Sequence, residues 1–271
     1  MFHVKRLPMK TLINWKVFWI LFVAAVLATI LLLPYAMEAQ SSAIDLTKLP
    51  IPLPLLLTLQ IAQNAILFAI AIFAGLFFAG RVGLGAPILD SVTRGEPVAQ
   101  RVRAVLPLSV ILGVVSTLVV LGLEFFYFQP ALARQLSSTA SALNLQSSQP
   151  AAWKGFLASF YGGIAEEILL RLFVMSLFVW LGRFISKTSD GRPTNAVFWI
   201  ANILAAVLFG IGHLPATSLL VPLTTLVILR AIVLNGLIGI ACGWLYWKRG
   251  LEAAMISHFS ADLVLHVLLA L

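Results

Sequence analysis

Seven apolar runs, most of them as long as the about 20 residues that cross a bilayer as a helix, take up most of this chain. They fall at about residues 14–37, 52–80, 104–127, 152–182, 195–213, 217–247 and 252–271. With 61% hydrophobic and only 10% charged side chains among 271 residues, the chain has more apolar surface than one water-soluble core could hide, so lipid is its expected solvent. Runs of this length predict helices, because a strand of a membrane barrel spans with only about 9–11 residues. The expected fold is therefore all-α: a polytopic helical membrane protein with seven to eight transmembrane helices. The count turns on 217–247, which is about 45 Å long as a single helix and holds Arg230 near its middle. One crossing gives seven spans, and a break near Arg230 gives eight.

The formal net charge of +8 is carried mainly by short connections between the runs. Lys5, Arg6, Lys10 and Lys16 precede the first run; Arg81, Arg94, Arg101 and Arg103 lie between the second and third; Arg183, Lys187 and Arg192 lie between the fourth and fifth. The intervening loops hold little beyond Lys48, Arg134 and Lys154. This alternation places the N-terminus in the cytoplasm and the chain in the membrane as a multi-pass protein. The first run is too long for the core of a signal peptide and reads as an uncleaved anchor. No basic patch with interleaved aromatics is present, so the lipid bilayer, not nucleic acid, is the partner to expect. Cys242 stands alone, which excludes an intramolecular disulfide and any CxxC site.

The first three runs contain no mid-span charge except Glu124, so residues 1–149 read as a three-span scaffold. Residues 150–271 hold the chemistry, and the two parts form one integrated membrane domain without internal repeats. The fourth run reads Tyr161-Gly-Gly-Ile-Ala-Glu166-Glu167-Ile-Leu-Leu-Arg171. Each ionisable group at a helix centre is disfavoured by about 2.5–3.5 kcal/mol on insertion scales, and such groups mark function by default. Glu167 and Arg171 are four apart in the favourable order for an intrahelical ion pair. Glu166 projects about 100° away around an α-helix and needs another partner. Two further helices offer imidazoles: Phe209-Gly-Ile-Gly-His213, and His258-Phe-Ser-Ala-Asp262, with its histidine and aspartate one turn apart. A glutamate kept from bulk water suits general-base work, and histidines beside it can position the water it deprotonates. His266 extends the face of His258 and reads as packing. Arg230 reads as a snorkelling side chain or the mark of a helix break.

The order EExxxR, FxxxH and HxxxD on separate membrane helices resembles the CPBP family, also called Abi, which includes the type II CAAX prenyl endopeptidases. The resemblance spans about residues 150–271 and includes the segment from Asn235 to Tyr246. It implies an intramembrane endopeptidase that hydrolyses a peptide bond of a membrane-associated substrate, of CAAX type or leader type. It implies Glu166 as general base, His213 as an aid to water activation, and His258 with Asp262 as stabilisers of the oxyanion. Glu167, Arg171 and Phe209 would support the site structurally. The family often has Asn where this chain has Asp262, and an ionised Asp accepts hydrogen bonds without donating them. Asp262 can instead orient His258, remain protonated, or join Glu166, His213 and His258 as ligands of a zinc ion. No HExxH is present, and a glutamate mechanism needs no cofactor. Two other readings compete: a non-catalytic immunity-type or scaffold membrane protein that keeps the buried cluster for folding, and a proton-coupled transporter.

Counted from Asn195, His213 lies about 27 Å along its helix, whereas His258 lies only about 12 Å beyond Lys248 and Arg249. A simple seven-span arrangement separates the two imidazoles.

Overall fold

The computed structural model describes residues 13–40, 50–136 and 150–271. Lys5, Arg6, Lys10 and Lys48 of the charge pattern, and the end of the expected scaffold at residue 149, lie outside the described residues. Helix α1 is Trp15–Ala39, α2 is Leu53–Val82, and the short α3 is Pro87–Thr93. Helix α4 is Ala99–Leu123, followed by a π-helical turn at Glu124–Phe128 and by α5, Gln129–Leu136. Helix α6, Ala152–Phe160, runs through π-helical segments at Tyr161–Glu166 and Ile168–Met175 into α7, Ser176–Gly182. Then come α8, Asn195–Gly212; α9, Leu214–Leu220; α10, Thr225–Arg249; and α11, Leu251–Asp262, with a π-helical turn at Leu263–Val267.

Among the described residues, six stretches qualify as membrane spans by length and composition: Trp15–Ala39, Leu53–Val82, Ala99–Gln135, Asn195–Leu220, Thr225–Arg249 and Leu251–Ala270. The stretch from Ala152 to Gly182 is also long and helical, but it carries Glu166, Glu167 and Arg171 and changes its winding where they occur. Burial follows a lipid-solvated pattern. Ile66 and Ile70 are 64% and 60% exposed on the outer face, whereas Arg171 is 1% and Glu167 is 0% exposed inside. Apolar side chains facing out need no other apolar partner in lipid, while backbone and charge must be satisfied within the bundle.

One end of the bundle is tied by polar contacts. Asn14 donates to Asp90 at 3.1 Å and to Thr93 at 2.9 Å, joining the start of α1 to α3. The Arg183 guanidinium donates to the Arg81 carbonyl at 3.2 Å. The turn between α10 and α11 requires Gly250, whose φ of 102° an L side chain rarely adopts and whose Cβ would strike Pro87. Directly after it, Leu251 donates to the Gly85 carbonyl at 3.0 Å, and Glu252 accepts the Leu89 N–H at 2.7 Å. These bonds fix the base of the helix that carries His258. The opposite end closes with the Lys154–Glu38 ion pair between α6 and α1.

Helices α8 and α10 lie antiparallel in close register. The Phe198 and Trp247 rings stack at 4.8 Å, Asn202 donates to the Ile240 carbonyl at 3.0 Å, and a Cβ on Gly239 would come within 3.1 Å of Ala206. Gly243 has the same purpose, since a Cβ there would run into the Asn202 amide. Small residues let the backbones approach, as they do between membrane helices generally.

One expectation is corrected. Arg230 neither snorkels nor marks a break: it lies inside the unbroken α10 and forms a two-point ion pair with Glu124, at 2.7 and 2.9 Å. A charge held by a partner on the neighbouring helix has no reason to leave the bundle or end its helix. The fifth run ends as expected, with α8 stopping at Gly212 and His213 as its C-cap; Pro215 sits in the first turn of the separate α9, where a missing N–H removes no helical hydrogen bond.

Candidate active site

The helix from Ala152 to Gly182 brings two adjacent carboxyls to one imidazole. His258 Nδ1 lies 2.8 Å from Glu167 Oε1, and His258 Nε2 lies 3.6 Å from Glu166 Oε2. On the same nitrogen, Asp262 Oδ1 is 3.7 Å away, one turn along α11. The imidazole is therefore gripped at one nitrogen and flanked at the other by two carboxyls beyond direct hydrogen-bond distance. The three carboxyls differ in access: the side chains of Glu167, Asp262 and Glu166 are 0%, 11% and 22% exposed.

Each neighbour has a structural reason. Both glutamates lie at the junction of two π-helical segments, whose i→i+5 winding is rare and gathers at functional sites. Gly162, one turn before them, is where α11 comes closest, since a Cβ there would collide with Asp262 Oδ2 and stand 3.2 Å from His258 Nε2. Arg171 Nε is 3.3 Å from Glu167 Oε2, and its Nη2 donates to the Gly239 carbonyl at 3.0 Å. A Cβ on Gly113 of α4 would strike the Ser257 carbonyl, so the scaffold side also presses α11 toward the glutamates.

Phe209 is the hub between the imidazoles. Its ring lies 5.4 Å from the His258 ring and 4.8 Å from the His213 ring, edge-on to both, with the Arg171 guanidinium 5.3 Å from its centroid. His213 caps α8, half-buried, with Nδ1 2.8 Å from the Phe209 carbonyl. A carbonyl only accepts, so Nδ1 carries the proton and Nε2 presents a lone pair. The Phe209 ring thus stands in contact with both imidazoles. The level of His213 is met further along α11, where Asp262 and His266 follow; His266 is about 25 Å beyond Arg249.

Two groups join this site that sequence reasoning missed. His266 Nε2 is 4.0 Å from Asp262 Oδ1, and its Nδ1 is 3.1 Å from the Tyr35 hydroxyl of α1. The first span thus reaches His266 through the Tyr35 hydroxyl. The i,i+4 spacing from Asp262 to His266 was the available signal; nothing marked Tyr35.

A zinc ion holds its ligands at about 2.0–2.3 Å, which puts neighbouring donor atoms little more than 3 Å apart. Among the described residues, the His, Cys, Asp and Glu donors that all come within 4.8 Å of one another belong to Glu167, Cys242 and His258. Glu166, His213 and Asp262 do not join that set. Within it, Glu167 and His258 already share a direct hydrogen bond, which a metal between them would have to break. An ion shared by these donors would involve Glu167, Cys242 and His258.

The class of molecule is set by these features: an integral, multi-pass helical membrane protein with a buried carboxylate–imidazole centre. Residues 148–264 match the family model described as type II CAAX prenyl endopeptidase Rce1-like, so this segment is similar to that family of membrane proteases. No curated protein and no solved structure matches the chain. The matched segment contains Glu166, Glu167, Arg171, Phe209, His213, His258 and Asp262; Tyr35 and His266 fall outside it.

Proposed function

We propose that this protein is an intramembrane endopeptidase that hydrolyses a peptide bond of a membrane-associated, CAAX-type or leader-type substrate with water activated by Glu166. The observation that carries the reading is the environment of His258. One nitrogen is held by the fully buried Glu167, while the other faces the more accessible Glu166 at 3.6 Å, beyond direct hydrogen-bond distance.

In this mechanism Glu166 removes a proton from the water, and the lone pair on His213 Nε2 accepts a hydrogen bond from it. The water oxygen bonds to the scissile carbonyl carbon, and the carbonyl π pair moves onto oxygen. An ionised carboxylate can only accept, so His258, with Glu167 at Nδ1 and two carboxyls at Nε2, donates from both nitrogens. Its Nε2–H stabilises the new oxyanion, a role in which a fixed donor away from bulk water is effective. Asp262 keeps that N–H directed into the pocket. Collapse breaks the C–N bond, and protonated Glu166 returns its proton to the departing amine. Glu167 and Arg171 hold the imidazole and leave the chemistry to others. The basic end of the bundle, with Arg183, Lys248 and Arg249, faces the cytoplasm on the charge rule.

The test is a comparison of peptide termini in membranes from cells expressing wild type or Glu166→Gln at equal levels. A C-terminal or leader peptide that is released only by wild type is the expected result. Identical sets of termini overturn the peptidase reading. A solute flux into vesicles that depends on Glu166 favours the transporter instead.

A further inference from the structure

Asp262 leaves a problem that the matched segment does not solve. It is a buried carboxyl, its Oδ1 shares the space around His258 Nε2 with Glu166, and an ionised carboxylate needs a donor to hold it in one place. Besides His258 Nε2 at 3.7 Å, the structure brings one nitrogen from outside the segment into ion-pair range of Oδ1, beyond direct hydrogen-bond distance. His266 lies one turn beyond Asp262, with Nε2 facing Oδ1 at 4.0 Å, and Tyr35 reaches across from α1 to His266 Nδ1 at 3.1 Å, the two rings meeting edge-on at 5.3 Å.

The proton positions along this chain are mutually determined. A lone pair on Nε2 would face the carboxylate and repel it, so Nε2 carries the hydrogen. Nδ1 then holds the lone pair, and the Tyr35 O–H donates to it. Three local features seat His266: the chain winds as a π-helix over Leu263–Val267, a Cβ on Gly155 would collide with the His266 carbonyl, and the Tyr35 hydroxyl abuts the ring. Gly155 and Gly162 lie on one continuous helix and admit His266 and Asp262 respectively.

We propose that Tyr35 and His266 are positioning residues of the active site: Tyr35 fixes His266 as the Nε2–H tautomer, and His266 holds the Asp262 carboxylate where it directs His258. The proposal rests on the peptidase reading for its effect on turnover, but the tautomer itself does not. The first transmembrane helix thereby takes part in the reaction centre through a single hydroxyl.

Two measurements on the full chain in detergent or vesicles decide it. The first is 15N NMR of protein labelled at histidine, with the His266 signal assigned by its loss in His266→Gln. Wild type is expected to show His266 as Nε2–H with an accepting Nδ1, and Tyr35→Phe is expected to move it to a tautomer mixture. An unchanged signal in Tyr35→Phe overturns the inference. The second is turnover of a quenched-fluorescent farnesylated CAAX-tailed peptide. Tyr35→Phe and His266→Leu are each expected to lower kcat about ten- to a hundredfold with KM unchanged, and the double variant is expected to be no worse than His266→Leu, because the two act in series. Full kcat in both single variants, with Glu166→Gln inactive, overturns the positioning role alone. Full kcat in Glu166→Gln overturns the peptidase mechanism and leaves the tautomer result standing.

Discussion

The Nδ1 of His258 and the Oε1 of Glu167 are 2.8 Å apart in a region where the imidazole is 4% and the carboxylate 0% exposed. The same glutamate faces Arg171 through its other oxygen. One carboxylate therefore joins a cation on its own helix to an imidazole on another, and this three-way contact holds His258 at a set angle to Glu166.

Breaking that contact from one side leaves a charge buried without its counterpart. Glu167→Gln is expected to destabilise the protein by about 3 kcal/mol, the scale for removing one partner of a buried pair, and to abolish turnover. The double variant Glu167→Leu/Arg171→Met is expected to recover most of the stability and none of the turnover. Thermal unfolding in detergent beside peptide cleavage checks both, and a normal midpoint with normal turnover in Glu167→Gln removes the contact from the mechanism.

Gly162 is where α11 meets the glutamate helix most closely. Gly162→Ala places a Cβ against Asp262 Oδ2 and near His258 Nε2, so kcat is expected to fall about ten- to a hundredfold while KM holds. Gly122→Ala is the control, because a Cβ there meets nothing within 4 Å. Equal kinetics for the two variants would show that the close approach at Gly162 has no part in catalysis.

The Glu124–Arg230 pair ties the end of α4 to α10 away from the reacting groups. Glu124→Gln is expected to lower stability by about 2 kcal/mol, as for loss of charge-assisted hydrogen bonds, with cleavage of the wild-type substrate retained. The exchange Glu124→Arg/Arg230→Glu is expected to restore part of the loss. Unfolding midpoints of the three proteins test this, and no change in any of them would make the pair neutral.

Chelation distinguishes the two hydrolytic chemistries. The donors that lie close enough together are Glu167, Cys242 and His258, and two of them are already hydrogen-bonded to each other. Millimolar 1,10-phenanthroline is expected to leave cleavage unchanged. Loss of cleavage that added zinc restores would contradict the glutamate mechanism.

The membrane class was legible in the sequence because length and apolarity are additive along a run, and a helix in lipid needs little else. Glu166, Glu167, Arg171, His258 and Asp262 stood out because charge inside such a run is disfavoured unless it has a use or a partner. What stayed hidden depends on contacts between distant segments. Arg230 carries no sign of Glu124, 106 residues earlier. Tyr35 at the end of an apolar run looks like any interfacial aromatic until His266 is found against its hydroxyl. The π-helical winding around Glu166 leaves no pattern in residue type, although it coincides with the close approach of α11 at Gly162 and Gly163. Phe209 as the ring between His213 and His258 was not readable from helix rise.

The most direct measurement is the cleavage rate of a farnesylated CAAX-tailed peptide by purified wild type and Glu166→Gln in vesicles, with helix content and unfolding midpoint recorded for both. The variant is expected to lose at least about a hundredfold in kcat, the lower range for removal of a general base, with fold and midpoint retained. A Glu166→Gln protein that cleaves within a factor of two of wild type would contradict the assignment of Glu166 as the base.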